Sequence, residues 1–424
     1  MTSLAASSGR PVPGRRELVL LIATMMSMNA LSIDSMLPAL DDIARDLDAL
    51  DGNRRQLVIG LYIAALGVGC LFPGSLADRF GRRPVVLSAL ALYAGLALVC
   101  SLATDFTTLL GARVLTGLLC AGLVVIPNAI VRDMYEGDEM AGLMSMISAI
   151  FVTVPVFAPS LGQAVLLVGS WRWIFASMAV LSSVLAVWVW WRLPETLSPD
   201  HRQAIHPTTV LRNMGVALSV RASTGYVLGA SLVLGAIFGY VNSAQQLFTE
   251  TLNVPPSVFP VIFGITAAAM GFASIVNSRI VQRFGARRVS HTGVIMFIVV
   301  SAVQVWSSYA HPGNLYWFVS LTGINFALVG FLMANFSSIA MQPFAQIAGA
   351  ASGVQTFLRT FGAALVGLLI GQAYDGTAQP FAWALLIMSL IALGLVTFSE
   401  RGKLFSPPRA VRPHVPPTGI RGGS

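Results

Sequence analysis

The chain has 424 residues, of which 55% are hydrophobic and only 10% charged, and its mean hydropathy is +0.75. A soluble domain carries about 25% charged residues, so a water-soluble globular protein is excluded. The formal net charge of +8 comes mostly from arginines between apolar runs, which argues for contact with anionic lipid and against nucleic-acid binding.

In chain order, residues 1–17 carry Arg10, Arg15 and Arg16 and precede an apolar run at about 18–40. Asn29 and Asp34 interrupt that run and no small-residue cleavage site follows, so a cleaved signal peptide is not expected. A helix crossing roughly 30 Å of hydrocarbon needs about 20 apolar residues. Further runs of that length fall at about 56–77, 84–104, 106–131, 140–168 and 171–193, the third and fourth separated by the short break Thr104–Asp105. The polar stretch 194–222, with Pro194, Pro199 and Pro207, reads as a linker. Six more runs follow near 223–249, 257–278, 289–309, 314–338, 347–373 and 380–399. The tail 401–424 is rich in Pro, Gly and Arg and is expected to be disordered. The pattern predicts an all-α membrane protein with twelve transmembrane helices in two six-helix bundles, 18–193 and 223–400.

Arginines concentrate at the N-terminus, in the loops after the second, fourth, sixth and eighth runs, and in the tail. Arg45, Arg54, Arg55 and Arg172 remain on the other side. By the positive-inside rule both termini are expected in the cytoplasm.

The loop after the second run reads GSLADRFGRRP, Gly74 to Pro84, and the loop after the eighth carries an echo, VQRFGARRVS, Val281 to Ser290. The same signature between the second and third runs of each half marks an internal duplication. Parallel repeats of this kind belong to transporters that rock two bundles about a central site. The stretch Gly74–Ser75–Leu76–Ala77–Asp78–Arg79–Phe80–Gly81–Arg82–Arg83 resembles the loop signature of the major facilitator superfamily. Ser32–Ile33–Asp34–Ser35–Met36–Leu37–Pro38–Ala39–Leu40 resembles the first-span motif of its bicyclomycin/chloramphenicol-resistance (Bcr/CflA) branch. Arg113–Val114–Leu115–Thr116–Gly117, with Asn128 to Asp133 after it, looks like that branch's fourth span, and Trp171 to Phe175 like the start of its sixth. The resemblance implies the major facilitator fold, a bacterial inner membrane, and export of drugs or small amphipathic compounds in exchange for protons. It further implies a conformational latch made by Gly74, Asp78, Arg79, Gly81, Arg82, Arg83 and Arg132, with Asp78 meeting the start of the eleventh span near Gly349. The fifth-span antiporter motif departs from the family's pattern, appearing as Ala158–Pro159–Ser160–Leu161–Gly162–Gln163. A facilitator or importer for a sugar, amino acid or organic acid therefore stays open, as does a non-transporting sensor or scaffold.

Three charged side chains fall well inside predicted spans: Asp34, Arg113 and Arg359. Each costs about 2.5–3.5 kcal/mol at a helix centre on insertion scales, so each asks for a reason. At about 1.5 Å per residue, Asp34 and Arg113 lie roughly 10 Å below the same surface, a depth that allows an ion pair. The pair is either a proton-coupling switch or a permanent structural link. Helical spacing carries the Arg113 face through Thr116 and Cys120 to Asn128. In the second half, Asn242, Gln245 and Gln246 share one face, Gln355 and Arg359 share another, and Asn325 lies near the middle of the tenth span. Together with Asn29, Tyr62 and Tyr240 these residues suit a cavity for a large, mostly apolar ligand. Interhelical hydrogen bonding is the structural alternative.

Cys70, Cys100 and Cys120 have no CxxC spacing, and His201, His206, His291, His311 and His414 sit at span ends, in loops or in the tail. No P-loop occurs. No cofactor, metal or enzymatic chemistry is expected. The expected partners are a small-molecule substrate, protons and the bilayer, with the monomer as the working unit.

Overall fold

The computed structural model describes residues 13–49, 53–197, 215 and 219–405, so most of the expected linker and disordered tail lies outside the described residues. Helix α1 (Arg15–Asp34) passes through a 3-10 turn at Leu37–Ala39 into α2 (Leu40–Asp46). Pro38 sits in that turn, where its missing N–H interrupts helical bonding. The second span, expected as one run, is broken into α3 (Leu57–Gly69) and α4 (Pro73–Phe80), with a 48° bend between them. Pro73 opens α4, a position where proline is tolerated because the first helical N–H has no partner anyway. The first group is completed by α5 (Arg82–Ser101), α6 (Phe106–Met134), α7 (Gly137–Val168) and α8 (Arg172–Arg192). The second comprises α9 (Arg221–Gln246), α10 (Phe259–Phe284), α11 (Ala286–Ala310), α12 (Leu315–Met341), α13 (Ala348–Gln372) and α14 (Gln379–Ser399).

Among the described residues, eleven helices are long and apolar enough to cross a membrane, or twelve with α3 and α4 taken as one bent span. The expected break at Thr104–Asp105 is present. Asp105 caps α6 by accepting from the Thr108 N–H at 2.8 Å and the Thr108 hydroxyl at 2.7 Å, satisfying donors that the first turn leaves free.

Within the first group α3 and α5 pack on α6, α5 on α8, and α1 on α7; in the second, α9 packs on α13 and α14, and α12 on α10 and α11. The groups meet along two seams, α3 with α13 and α7 with α10. Each seam has a glycine that lets two backbones approach. A Cβ on Gly67 would lie 2.7 Å from the Phe361 Cα, and one on Gly264 would lie 2.7 Å from the Val156 carbonyl oxygen. The repeated RFG has a backbone reason too. Gly81 (φ 103) and Gly285 (φ 81) stand at the N-caps of α5 and α11 in a conformation that side chains disfavour. Below, the near end is the one where α1 begins and α14 ends, and the far end is the opposite one.

Candidate functional site

Arg113 is buried on α6, but its partner is not Asp34. Its Nε donates to the Val58 carbonyl at 3.0 Å, and its two terminal nitrogens donate to the Ser32 hydroxyl at 3.0 Å and the Ser32 carbonyl at 3.1 Å. The expected ion pair is thus replaced by a cap. The Ser32 carbonyl lies in the last turn of α1, where intrahelical donors run out, and a guanidinium at a helix C-terminus also complements the dipole. The Tyr62 ring sits 4.1 Å from the guanidinium carbon, and the Tyr62 hydroxyl reaches Asn29 Oδ1 at 3.4 Å. Ser32 is a hub that the motif contained but residue-type reasoning passed over, since it also accepts from the Tyr93 hydroxyl at 2.8 Å. Thr116 and Cys120 are buried on the same face. The Thr116 hydroxyl bonds the carbonyls of Ala112 and Arg113, so this face is packed instead of lining water. Asn128 is exposed and bonds the Val124 carbonyl.

Asp34 is 5% exposed, and among the described residues nothing donates to its carboxylate. Beside it, α1 and α7 touch so closely that a Cβ on Gly162 would come within 2.0 Å of the Ser35 carbonyl oxygen. The next residue, Gln163, has a buried Oε1 with no hydrogen-bond partner among the described residues. The departure from the antiporter motif therefore preserves the glycine that the helix contact needs and adds an unfilled acceptor next to it.

The second-half residues fall into separate places. Tyr240 is buried among Phe263, Phe326, Phe248 and Phe381 and bonds the Thr266 hydroxyl at 2.9 Å. Asn325 donates to Gln304 Oε1 at 2.7 Å and accepts from Ser301, inside the contact of α11 with α12. Gln355 donates to the Ser223 hydroxyl at 3.1 Å and the Ala340 carbonyl at 3.0 Å. These three hold helices together, as the bonding alternative predicts. Arg359 is different. Its Nη1 donates to the Ser337 hydroxyl at 2.8 Å, while its Nε is buried without an acceptor among the described residues.

Gln245 and Gln246 lie at the far end in a polar seal across the two halves. Arg55 pairs with Asp41 of its own half and with Glu250 of the other; Gln245 bonds Asp41, and Gln246 meets Gln56 and Asn53. Asn53 further donates to the carbonyls of Gln372 (3.0 Å) and Tyr374 (2.9 Å). Asn242 is buried nearby, where a Cβ on Gly60 would lie 3.2 Å from its Oδ1. The charged members of this seal, Asp41, Arg55 and Glu250, were hidden by their positions outside the spans.

At the near end the described bonds stay within one half. Arg82 pairs with Asp78 and, at 3.0 Å, with Asp133. The backbone N–H groups of Arg82 and Arg83, which open α5, donate to the Glu195 carboxylate at 2.9 and 3.2 Å, an anion at a helix N-terminus. Gly81 leaves room for it, since a Cβ there would lie 2.4 Å from Glu195 Oε2. Arg83 also donates to the Trp190 carbonyl at 2.6 Å. Arg79 and Arg132 are exposed, and a Cβ on Gly74 would meet nothing within 4 Å. The expected docking of Asp78 near Gly349 falls on residues 345–352, whose side chains lie outside the described ones.

Residues 20–367 match the model of the Major Facilitator Superfamily. The chain is 30% identical over 383 residues to the uncharacterised MFS-type transporter YdgK of Bacillus subtilis, covering 89% of this chain and 94% of that one. It is 25% identical over 388 residues to a bicyclomycin resistance protein homolog of Haemophilus influenzae (89% and 96% covered). To the multidrug resistance protein MdtL of Escherichia coli it is 27% identical over 373 residues (88% and 92%). In fold it is similar to a D-xylose-proton symporter (TM-score 0.68, 15% identity, 91% and 99% covered). It is also similar to a bacterial homolog of the human lysosomal transporter Spinster (TM-score 0.70, 16% identity, 94% and 100%).

Proposed function

Because this chain belongs to the Major Facilitator Superfamily, we propose that it is a proton-coupled antiporter exporting small amphipathic compounds by alternating access. Membership makes it a multi-pass membrane transporter and not an enzyme. The helices within 18–193 and 223–400 are the two rocking bundles of a monomer in a bacterial inner membrane. The near end, with its excess of arginine, faces the cytoplasm, and both termini lie there. The arrangement is then sealed outside by the Arg55–Glu250 network, with no bond between the halves among the described residues of the near end, as an inward-facing state requires. In the alternate state the Asp78–Arg82–Asp133–Glu195 cluster serves as the latch, together with Gly74, Arg79, Gly81, Arg83 and Arg132.

The observation that carries proton coupling is Asp34, an acid enclosed in the first bundle with no cation or donor among the described residues to hold it ionised. Such a carboxyl is a proton acceptor whose occupancy changes when water or ligand reaches it. Once protonated it becomes a donor, and the unfilled Gln163 Oε1 on the helix packed against α1 is an acceptor. Each charge moved inward through 100 mV releases about 2.3 kcal/mol, enough to drive uphill export without a nucleotide. The relatives named for bicyclomycin and multidrug resistance support efflux as the direction. Within a panel of carboxylate, neutral and cationic amphipathic compounds added to the purified protein in weak buffer, at least one is expected to release protons from the native chain and none from Asp34→Asn. Downhill flux indifferent to pH, without proton release, would establish a facilitator instead.

A further inference from the structure

We propose that Arg359 marks the substrate's charge: the transported compound is an organic anion whose carboxylate, or equivalent oxyanion, pairs with this guanidinium. The inference rests on the reading of the chain as an exporter of small amphipathic compounds and specifies which of them it takes.

Arg359 lies near the middle of α13 (Ala348–Gln372), roughly 16 Å from the start of the helix at about 1.5 Å per residue. An arginine at that depth is retained for a partner or a task. The two arginines of the spans differ in this respect. Arg113 uses three of its donors within the protein and lies against Tyr62. Arg359 has five N–H donors, as any guanidinium does, yet the described structure fills one, with Ser337. Its Nε is buried and has no partner among the described residues, and no described acid forms an ion pair with it. A guanidinium fork at this depth whose described bonds use one donor suits a bidentate oxyanion.

The surroundings suit an amphipathic anion. Thr356, three residues before Arg359, lies on the same side of α13, and its hydroxyl makes no described hydrogen bond. Phe357 and Phe361, two residues to either side of Arg359 and so on the opposite side of α13, stack with ring centroids 5.5 Å apart and planes at 11°. Every residue from Thr356 to Phe361 is partly exposed, so this stretch is not packed all round. Phe361 stands at the α3–α13 seam opposite Gly67, so the helix that carries Arg359 borders the other bundle. The head group meets Arg359 and Thr356.

The test uses the full chain in nanodiscs with three amphipathic probes: nalidixate (a carboxylate), chloramphenicol (neutral) and tetraphenylphosphonium (a cation). Binding is followed by tryptophan fluorescence for the native protein, Arg359→Lys and Arg359→Gln, with thermal midpoints as the folding control. Saturable nalidixate binding is expected, weakened roughly 10- to 150-fold in Arg359→Gln, the range for loss of a charge-assisted bond. Arg359→Lys retains part of it. Nalidixate binding unchanged in a folded Arg359→Gln, or tighter binding of the cation than of the carboxylate, overturns the proposal. So does absence of saturable nalidixate binding to the native protein. The two readings separate in proteoliposomes. Arg359-dependent nalidixate binding with no probe transported defeats export but keeps the anion site. Transport of the neutral or cationic probe, with nalidixate neither bound nor moved, does the reverse.

Discussion

Arg113 is a structural clamp on the end of α1, and replacing it with lysine shows how that differs from an ion pair. Arg113→Lys keeps the charge but lacks the fork. An ammonium at the end of that stem can reach one of the three acceptors, Val58 O, Ser32 Oγ and Ser32 O, leaving two bonds unmade. Each bond to a charged group contributes about 1.5–3 kcal/mol, so the loss is roughly 3 kcal/mol or more. At about 2–4 °C per kcal/mol for a bundle of this size, the thermal midpoint falls by roughly 6–12 °C. Asp34→Asn shares no bonding partner with Arg113, so the double variant Asp34→Asn/Arg113→Lys is expected to show additive shifts, with coupling below about 0.5 kcal/mol. The measurement is a double-mutant cycle by thermal unfolding in detergent. Coupling above about 1 kcal/mol would refute the clamp and restore a direct Asp34–Arg113 pair.

Gly81→Ala and Gly285→Ala impose the same kind of backbone strain, about 1–3 kcal/mol, but only at Gly81 does the new methyl meet the Glu195 carboxylate. Gly81→Ala should lower the thermal midpoint more than Gly285→Ala, and adding Glu195→Ala should narrow the gap; equal shifts would remove Glu195 from the loop's support. Arg55→Gln breaks the cross-half pair with Glu250, whose carboxylate is 43% exposed. A partly exposed pair contributes about 0.2–1 kcal/mol, so distances between spin labels at Asp48 and Asp375 should show a roughly 1.4- to 5-fold shift toward an open far end. The bonds from Thr108 hold the Asp105 carboxyl below its usual range. Its contribution to folding is therefore complete above about pH 3.9 and fades as pH falls through the lowered value. The difference in thermal midpoint between the native chain and Asp105→Ala should shrink in acid and stay constant from pH 5 to 8.

The fold was legible because bilayer length and apolar runs fix span positions with little help from tertiary contacts, and because Gly81 and Gly285 advertise the same backbone need twice. The bend at Pro73 was written in the sequence, yet the run around it is apolar enough to read as unbroken. Site residues were harder to read. Depth along a helix placed Asp34 and Arg113 at one level but says nothing about rotation, and rotation turns Arg113 to Ser32. Amides such as Asn325 and Gln355 look alike in a sequence whether they face a cavity or a neighbouring helix. Only the positions of Gln304, Ser223 and Ala340 decide. The seal escaped notice because Arg55 and Glu250 are 195 residues apart and each is unremarkable in its own loop.

Everted vesicles with an imposed pH gradient test proton-coupled export most directly. A panel of carboxylate, neutral and cationic amphipathic compounds is added to vesicles holding the native protein or Asp34→Asn at matched expression. Proton antiport predicts that at least one compound collapses the gradient in native vesicles and none does in Asp34→Asn. Collapse that persists in Asp34→Asn would remove Asp34 from coupling, and silence in both, with flux unaffected by pH, would contradict antiport itself.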